Sequence, residues 1–224
     1  NSDCTSGLQK LLDQAAAEGG GIVFLPPGTY RFNGNLNIPS GVELKGAIDN
    51  STTPVGGGSI IQVYNGKGDE NGTPFITMQK NSGLRGVTIN YPEQKSSLLP
   101  DNILKYPYTV QVQGEDVYIV NIAIRAAYRG FDLFTYKCDN HYIDYISGHS
   151  FNTGIRVGGG SKNGKICNLQ YNPICYTNGY ESKFGSFPNS VKEYGDIAGN
   201  YCFDNFDWLV LGDCKNELLY NDFA

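Results

Sequence analysis

Charge is scarce in this 224-residue chain: Asp, Glu, Lys and Arg make up 17% of it, against about 25% in an average soluble protein. With 28 aromatic residues besides, that composition excludes a disordered tail, which carries more charge and fewer rings. Long apolar runs are missing too. Charge interrupts every one before the roughly 18 residues that a membrane-spanning helix needs. Histidine is reduced to His141 and His149, and none of the six cysteines sits in a CxxC pair. Zinc-finger and His-rich metal sites therefore lack ligands at the right spacing. No cluster of five Lys or Arg occurs and the net charge is −5, which argues against a basic face for nucleic acid. The same acidity argues against a strongly anionic polymer as substrate, although a local basic cleft can override a global charge.

What fills the space is 29 Gly and 22 Asn, both poor helix formers, so a helical bundle is excluded and a turn-rich all-β protein expected. The even cysteine count permits three disulfides and an oxidising compartment. Buried free thiols in a β core are the equal alternative.

One segment reads as a helix. Gly7 to Glu18 places Leu8, Leu11, Leu12 and Ala15 on one face at i, i+3, i+4, i+7 spacing, with Ser2, Asp3, Thr5 or Ser6 as its cap and Gly19-Gly20-Gly21 ending it. Afterwards the apolar runs are short. From about residue 115 they repeat: Tyr118–Ile122 returns as Tyr142–Ile146 and Phe131–Leu133 as Ile155–Val157, both offset by 24. Ile166–Leu169, Leu209–Leu211 and Leu218–Tyr220 continue the series. Such a repeat of short strands with no internal helix predicts a β-solenoid, and its corners explain the Gly and Asn, which accept left-handed backbone cheaply. Asn121, Asn168 and Asn221 fall at equivalent corners. Residues 91–108 and 172–200 break the period as inserted loops. The N-terminal helix is suited to cover the first coil. The last run stops in mid-coil, so further coils, or another chain, are expected there.

The stretch GGGIVFLPPGTYRFNGNLNIPSGVELKGA (19–47) resembles the opening of the pectin-lyase-like superfamily of right-handed parallel β-helices. That resemblance implies a single-stranded, right-handed parallel β-helix over 1–224, with a capping helix and turn at 1–21 and coils from 22 onward. Segments 73–94, 106–124, 140–160 and 209–223 are similar to bacterial multidomain β-helix proteins of glycoside hydrolase family 87, the endo-α-1,3-glucanases. The superfamily also holds lyases, epimerases and tailspikes, so fold alone leaves activity open.

Coils lie about 4.8 Å apart. Outward carboxylates on neighbouring coils then stand near the roughly 5 Å of retaining glycosidases, and two coils apart near the upper end of the inverting range. Asp132 and Arg156 are outward and adjacent in the 24-residue register, as a sugar-orienting pair or a surface ion pair worth about 1 kcal/mol at most. Asp204, Asp207 and Asp213 cluster beside Phe203, Phe206 and Trp208, a possible stacking surface for a sugar. His149 stands in a Gly-His-Ser resembling the Gly-His-Gly of polygalacturonases, without the paired aspartates expected one coil earlier. Tyr91, Glu93 and Gln94 open the first inserted loop. Gly159–Lys165 fits GxxxxGK, but Ile166 replaces the required Ser or Thr and no helix follows.

These readings converge on the N-terminal part of a secreted, polysaccharide-degrading glycoside hydrolase. Asp132, Asp207 and Asp213 are its catalytic candidates; Arg156, Asp204, Trp208, Tyr91, Glu93 and His149 are its substrate-binding ones. No cofactor is expected, nor a nucleic-acid or membrane partner. A polysaccharide lyase using Ca²⁺ and a non-catalytic glycan-binding solenoid are the alternatives.

Overall fold

The computed structural model describes residues 2–48, 58–95, 98–171, 197 and 200–222. Helix α1 (Thr5–Ala17) leads into a first coil of β1 (Gly21–Phe24), β2 (Gly28–Phe32) and β3 (Leu36–Ile38). The second coil holds β4 (Val42–Lys45), β5 (Ser59–Val63) and β6 (Ile76–Met78), and the third β7 (Gly83–Arg85), β8 (Val87–Asn90) and β9 (Tyr108–Val112). In the fourth and fifth coils the chain runs round all three faces as the long bent strands β10 (Tyr118–Leu133) and β11 (Tyr142–Val157). Then come β12 (Ser161–Lys162), β13 (Lys165–Cys167), β14 (Gln170–Tyr171), β15 (Asp207–Leu211), β16 (Cys214–Lys215) and β17 (Leu218–Tyr220).

Every pairing is parallel. The first face stacks β1, β4, β7, the starts of β10 and β11, β13 and β17. The second stacks β2, β5, β8, the middles of β10 and β11, and β14. The third stacks β3, β6, β9, the ends of β10 and β11, and β15. The 24-residue register is present on both sides of a bulge near Ala127, with Tyr118 opposite Tyr142 and Asp132 opposite Arg156. Inward residues such as Phe131, Leu133, Ile155 and Val157 have no exposed surface and form one continuous core.

Corner chemistry follows the Asn and Gly content. Asn121, Asn168 and Asn221 all have φ 55°, and the Asn221 amide donates to Asn168 Oδ1 at 2.6 Å. Tyr145, φ 52°, occupies the level between Asn121 and Asn168 and interrupts that ladder. A second ladder, not anticipated, runs up another corner through Asp116, Asn140, Asn163 and Asn216, all left-handed.

The helix caps the stack as expected, with one difference. Leu8 and Leu12 are buried, but Leu11 is 53% exposed. Capping also relies on polar bonds: Gln9 exchanges hydrogen bonds with the Asn37 backbone, at 2.8 and 3.0 Å, and so satisfies the edge of β3. Asp3 accepts from the Thr5 N–H and hydroxyl, fixing the helix start.

The cysteine alternatives resolve toward thiols. Cys4, Cys138, Cys167, Cys202 and Cys214 are free, and burial pushes the Cys138 and Cys202 thiols up to about 12. The sixth, Cys175, lies outside the described residues. Two inserted loops leave the coils between the second and third faces. Residues 91–107 do so, and so does a segment the sequence reading passed over, 64–75. The expected loop at 172–200 lies almost wholly outside the described residues.

Candidate active site

A cleft of about 350 Å³ opens where the 64–75 loop meets the third face, with Glu70 and Asn71 on the loop side and Tyr108, Arg129, Asp132 and Arg156 on the strands. Asp132 is outward in register yet has no exposed surface. Its Oδ1 accepts from Arg156 Nε (2.9 Å) and from the backbone N–H groups of Phe134 (2.9 Å) and Thr135 (3.1 Å). Oδ2 accepts from Gln111 Nε2 and Thr135 Oγ1, both at 2.8 Å. Burial alone would raise this carboxyl's pKa, but the donors of Arg156, Gln111, Phe134 and Thr135 outweigh it and hold Asp132 below the ordinary aspartate value. About four lone-pair positions are thus met by five donors. The expectation that Asp132 exchanges protons with a sugar is corrected: it is the fixed anion that positions Arg156.

Arg156 lies 4.4 Å over the Tyr108 ring and 5.3 Å from that of Phe134, and its Nη2 donates to Thr135. Among the described residues its Nη1 has no partner, so an oriented edge of the guanidinium is left for a ligand. Arg129 extends over the other side of Tyr108, at 5.5 Å, and bonds Asn152 and the Glu70 backbone.

Glu70 is the carboxylate the sequence reading missed. It pairs with Lys105 at 3.1 Å and Arg129 at 3.4 Å, and its side chain is 27% exposed. The Lys105 hydrogen bond is the largest influence on its carboxyl; burial, the next largest, opposes it, but the charges of Lys105 and Arg129 and a Tyr128 hydrogen bond tip the balance and hold Glu70 below the usual glutamate value. Only the turn-rich break between two apolar runs, NGKGDENGTP (65–74), could have signalled this loop.

Several expected site residues are elsewhere. Tyr91 is 1% exposed, shares a 3.0 Å hydrogen bond with Thr109 and packs on Tyr106; it is core, not substrate contact. His149 is corrected likewise: it is 1% exposed, its Nε2 accepts from the Ala126 N–H, and burial, then the Arg125 charge, push its pKa well below normal. Glu93 pairs with Lys67 at 3.0 Å in a separate small groove with Lys95 and Leu104.

Asp204 is exposed on the helical turn at 200–205. Asp207 is exposed at the start of β15, opposite Thr153 and two coils on from Arg129. Trp208 is half-buried, packed in part against the core. Asp213 follows the other end of β15, and neither it nor Asp207 lines the cleft at Glu70. Asp132 and Asp207 are about 14 Å apart by coil spacing and strand rise, wider than either glycosidase spacing. Among the described residues no three His, Cys, Asp or Glu side chains come together to hold an ion.

The first 82 residues match the family model described as rhamnogalacturonase A/epimerase, pectate lyase-like. The fold is a parallel β-helix. Comparison with curated proteins gives no match. Among solved structures, the β-helix is similar over its whole length to 89% of a candidate glycosyl hydrolase from Parabacteroides merdae, at 16% identity and TM-score 0.64. It is also similar to the A-module of a mannuronan C-5 epimerase from Azotobacter vinelandii (18% identity, TM-score 0.56, 76% of this chain and 52% of that one). A hyperthermoactive exopolygalacturonase from Thermotoga maritima aligns at 12% identity and TM-score 0.55, over 77% of this chain and 49% of that one. These identities speak for fold. The chain spans about half the length of the epimerase module and of the exopolygalacturonase.

Proposed function

We propose that this chain is part of a secreted glycoside hydrolase that degrades a polysaccharide, and that the sugar chain lies in the third-face cleft. The observation that carries this reading is Glu70: a carboxylate kept ionised at the mouth of a cleft whose floor presents the oriented guanidinium of Arg156. An ionised glutamate can activate water or attack an anomeric carbon, and it cannot donate a proton at neutral pH. Arg156, fixed by Asp132 and flanked by Tyr108, would hold sugar hydroxyls, and Arg129 would align Glu70. Asp207 is a further exposed carboxylate of the third face, two coils along from Arg129. Export belongs to the same proposal, since a polymer too large to cross a membrane must be met outside the cell.

The three cations Lys105, Arg129 and Arg156 give a second reading some support. They could neutralise a uronate carboxylate, as an elimination needs. Incubation of the chain with neutral and uronate polysaccharides, including α-1,3-glucan, separates the two. Hydrolysis releases reducing ends without ultraviolet absorbance and is lost in Glu70→Gln. Unsaturated, absorbing products would establish the lyase instead. Specific binding with no product from any polymer would leave a glycan-binding solenoid.

A further inference from the structure

A row of side-chain amides runs along the third face from the cleft toward the helix-capped end. Gln111 Nε2 donates to Asp132 Oδ2 (2.8 Å), Gln113 Nε2 to Gln111 Oε1 (3.0 Å), and Gln79 Nε2 to both Gln113 Oε1 (3.0 Å) and Asn37 Oδ1 (2.9 Å). The row ends in a second groove of about 400 Å³, lined by Asn37, Gln79 and Gln113 together with Lys80, Lys137 and Glu115. All four amides are half-buried. Coils one to four each contribute to the row.

Their orientation follows from one end. An ionised aspartate only accepts, so Gln111 must turn its NH₂ to Asp132 and its oxygen to Gln113, and the same logic sets Gln113 and Gln79 in turn. Each amide is thereby fixed before any ligand arrives. Among the described residues, the second N–H of Gln111 and of Gln113, the oxygen of Gln79 and the NH₂ of Asn37 have no partner. Uncharged donors and an acceptor thus recur along the row, with Gln111 and Gln113 on one coil and Gln79 and Asn37 on the next two; neighbouring coils are about 4.8 Å apart, comparable with the length of one pyranose residue. Preformed groups bind without a further ordering cost.

We infer that this row is a binding rail for a neutral, polyhydroxylated sugar chain that extends from the cleft into the groove at Gln79. A hydroxyl both donates and accepts, so it can use every group on the rail. A uronate carboxylate only accepts; it would meet the Gln79 oxygen and the field of Asp132. The inference rests on the reading of the cleft as a polysaccharide site and adds its substrate class.

The test is titration of the ¹⁵N-labelled chain with neutral oligosaccharides of glucose, galactose, mannose and xylose in graded lengths, and with oligogalacturonates, followed through backbone and side-chain amide signals. Longer neutral oligomers are expected to shift the side-chain NH₂ signals of Gln79, Gln111 and Gln113 together with the backbone of Glu70 and Asn71. The paired substitution Gln79→Ala with Gln113→Ala is expected to weaken their binding about tenfold, the worth of one or two hydrogen bonds, and to spare the shortest oligomers. Neutral oligomers that shift only the Glu70 and Asn71 signals overturn the rail and leave the cleft. Preferential shifts of the rail by oligogalacturonate overturn the neutral class. No shift by any oligomer overturns rail and cleft together.

Discussion

Asp132 and Arg156 face each other across adjacent coils, 2.9 Å apart from Oδ1 to Nε, with the aspartate fully enclosed and the arginine 29% exposed. Four further donors converge on the same carboxylate. Asp132→Ala removes the acceptor for all of them and leaves a guanidinium half-sunk without its counter-ion. Losing one partner of a buried pair costs about 3–5 kcal/mol; solvent at Arg156 reduces this to about 2 kcal/mol. Thermal unfolding should then fall by about 4–8 °C for a chain of this size. A melting temperature within a degree of the parent would show that the network does not anchor the face.

Two acid windows should be separable. Asp132 is depressed in the folded state, so its stabilisation is complete above the unfolded aspartate value of about 3.9 and is lost as pH falls through the lower folded value. His149 has the reverse origin and the same direction of effect: it is neutral when buried, so the unfolded chain binds an extra proton once pH drops below about 6.5. Urea midpoints should therefore decline in two stages on acidification. His149→Phe should remove the upper stage and leave glycan binding intact, since the ring touches no cleft surface. A lost binding site in that variant would contradict the placement of His149 in the core.

The coil architecture was legible because periodicity reports burial: Phe131, Leu133, Ile155 and Val157 had to alternate with outward Asp132 and Arg156, and most corners carry Asn or Gly. The site was less legible, since its members depend on features that leave no period. Glu70 sits on a loop of free length whose docking over coil four is a tertiary event. The bulged stretches of β10 and β11 place His149 inward. Tyr91 opens a loop but stays on the core side through its bond to Thr109. Gln111 and Gln113 look like ordinary outward strand residues until the register sets them beside Asp132 and Gln79.

Glycine substitutions should divide sharply. A Cβ on Gly164 would drive into the Glu217 carboxylate and the His141 ring, which pair with each other at 3.1 Å in the interior. Gly164→Ala should cost about 1–3 kcal/mol as an overpacked site. Gly7, inside α1, has open space around its Cβ position, and Gly7→Ala should stabilise by up to about 0.5–1 kcal/mol through helix propensity. Denaturant midpoints of the two variants should move in opposite directions; a common direction would refute the packing assigned to Gly164.

Glu70 and Lys105 offer the sharpest test of the catalytic proposal. The Lys105 ammonium is the largest single cause holding Glu70 ionised, and it is itself 54% exposed, at the rim rather than in the cleft. Lys105→Met should therefore leave the fold and the Arg156 floor untouched while letting the Glu70 pKa rise. If Glu70 acts as base or nucleophile, the acid limb of the kcat/KM profile follows its protonation and must move to higher pH in Lys105→Met. Activity well above that limb should be nearly unchanged. Glu70→Gln should abolish the limb with the activity, by about 10²–10⁴-fold. A purely structural role predicts something else: both variants would lower activity at all pH values by the same factor and leave the limb where it was. The direction of the limb's movement thus decides whether Glu70 takes part in the chemistry or only braces Arg129.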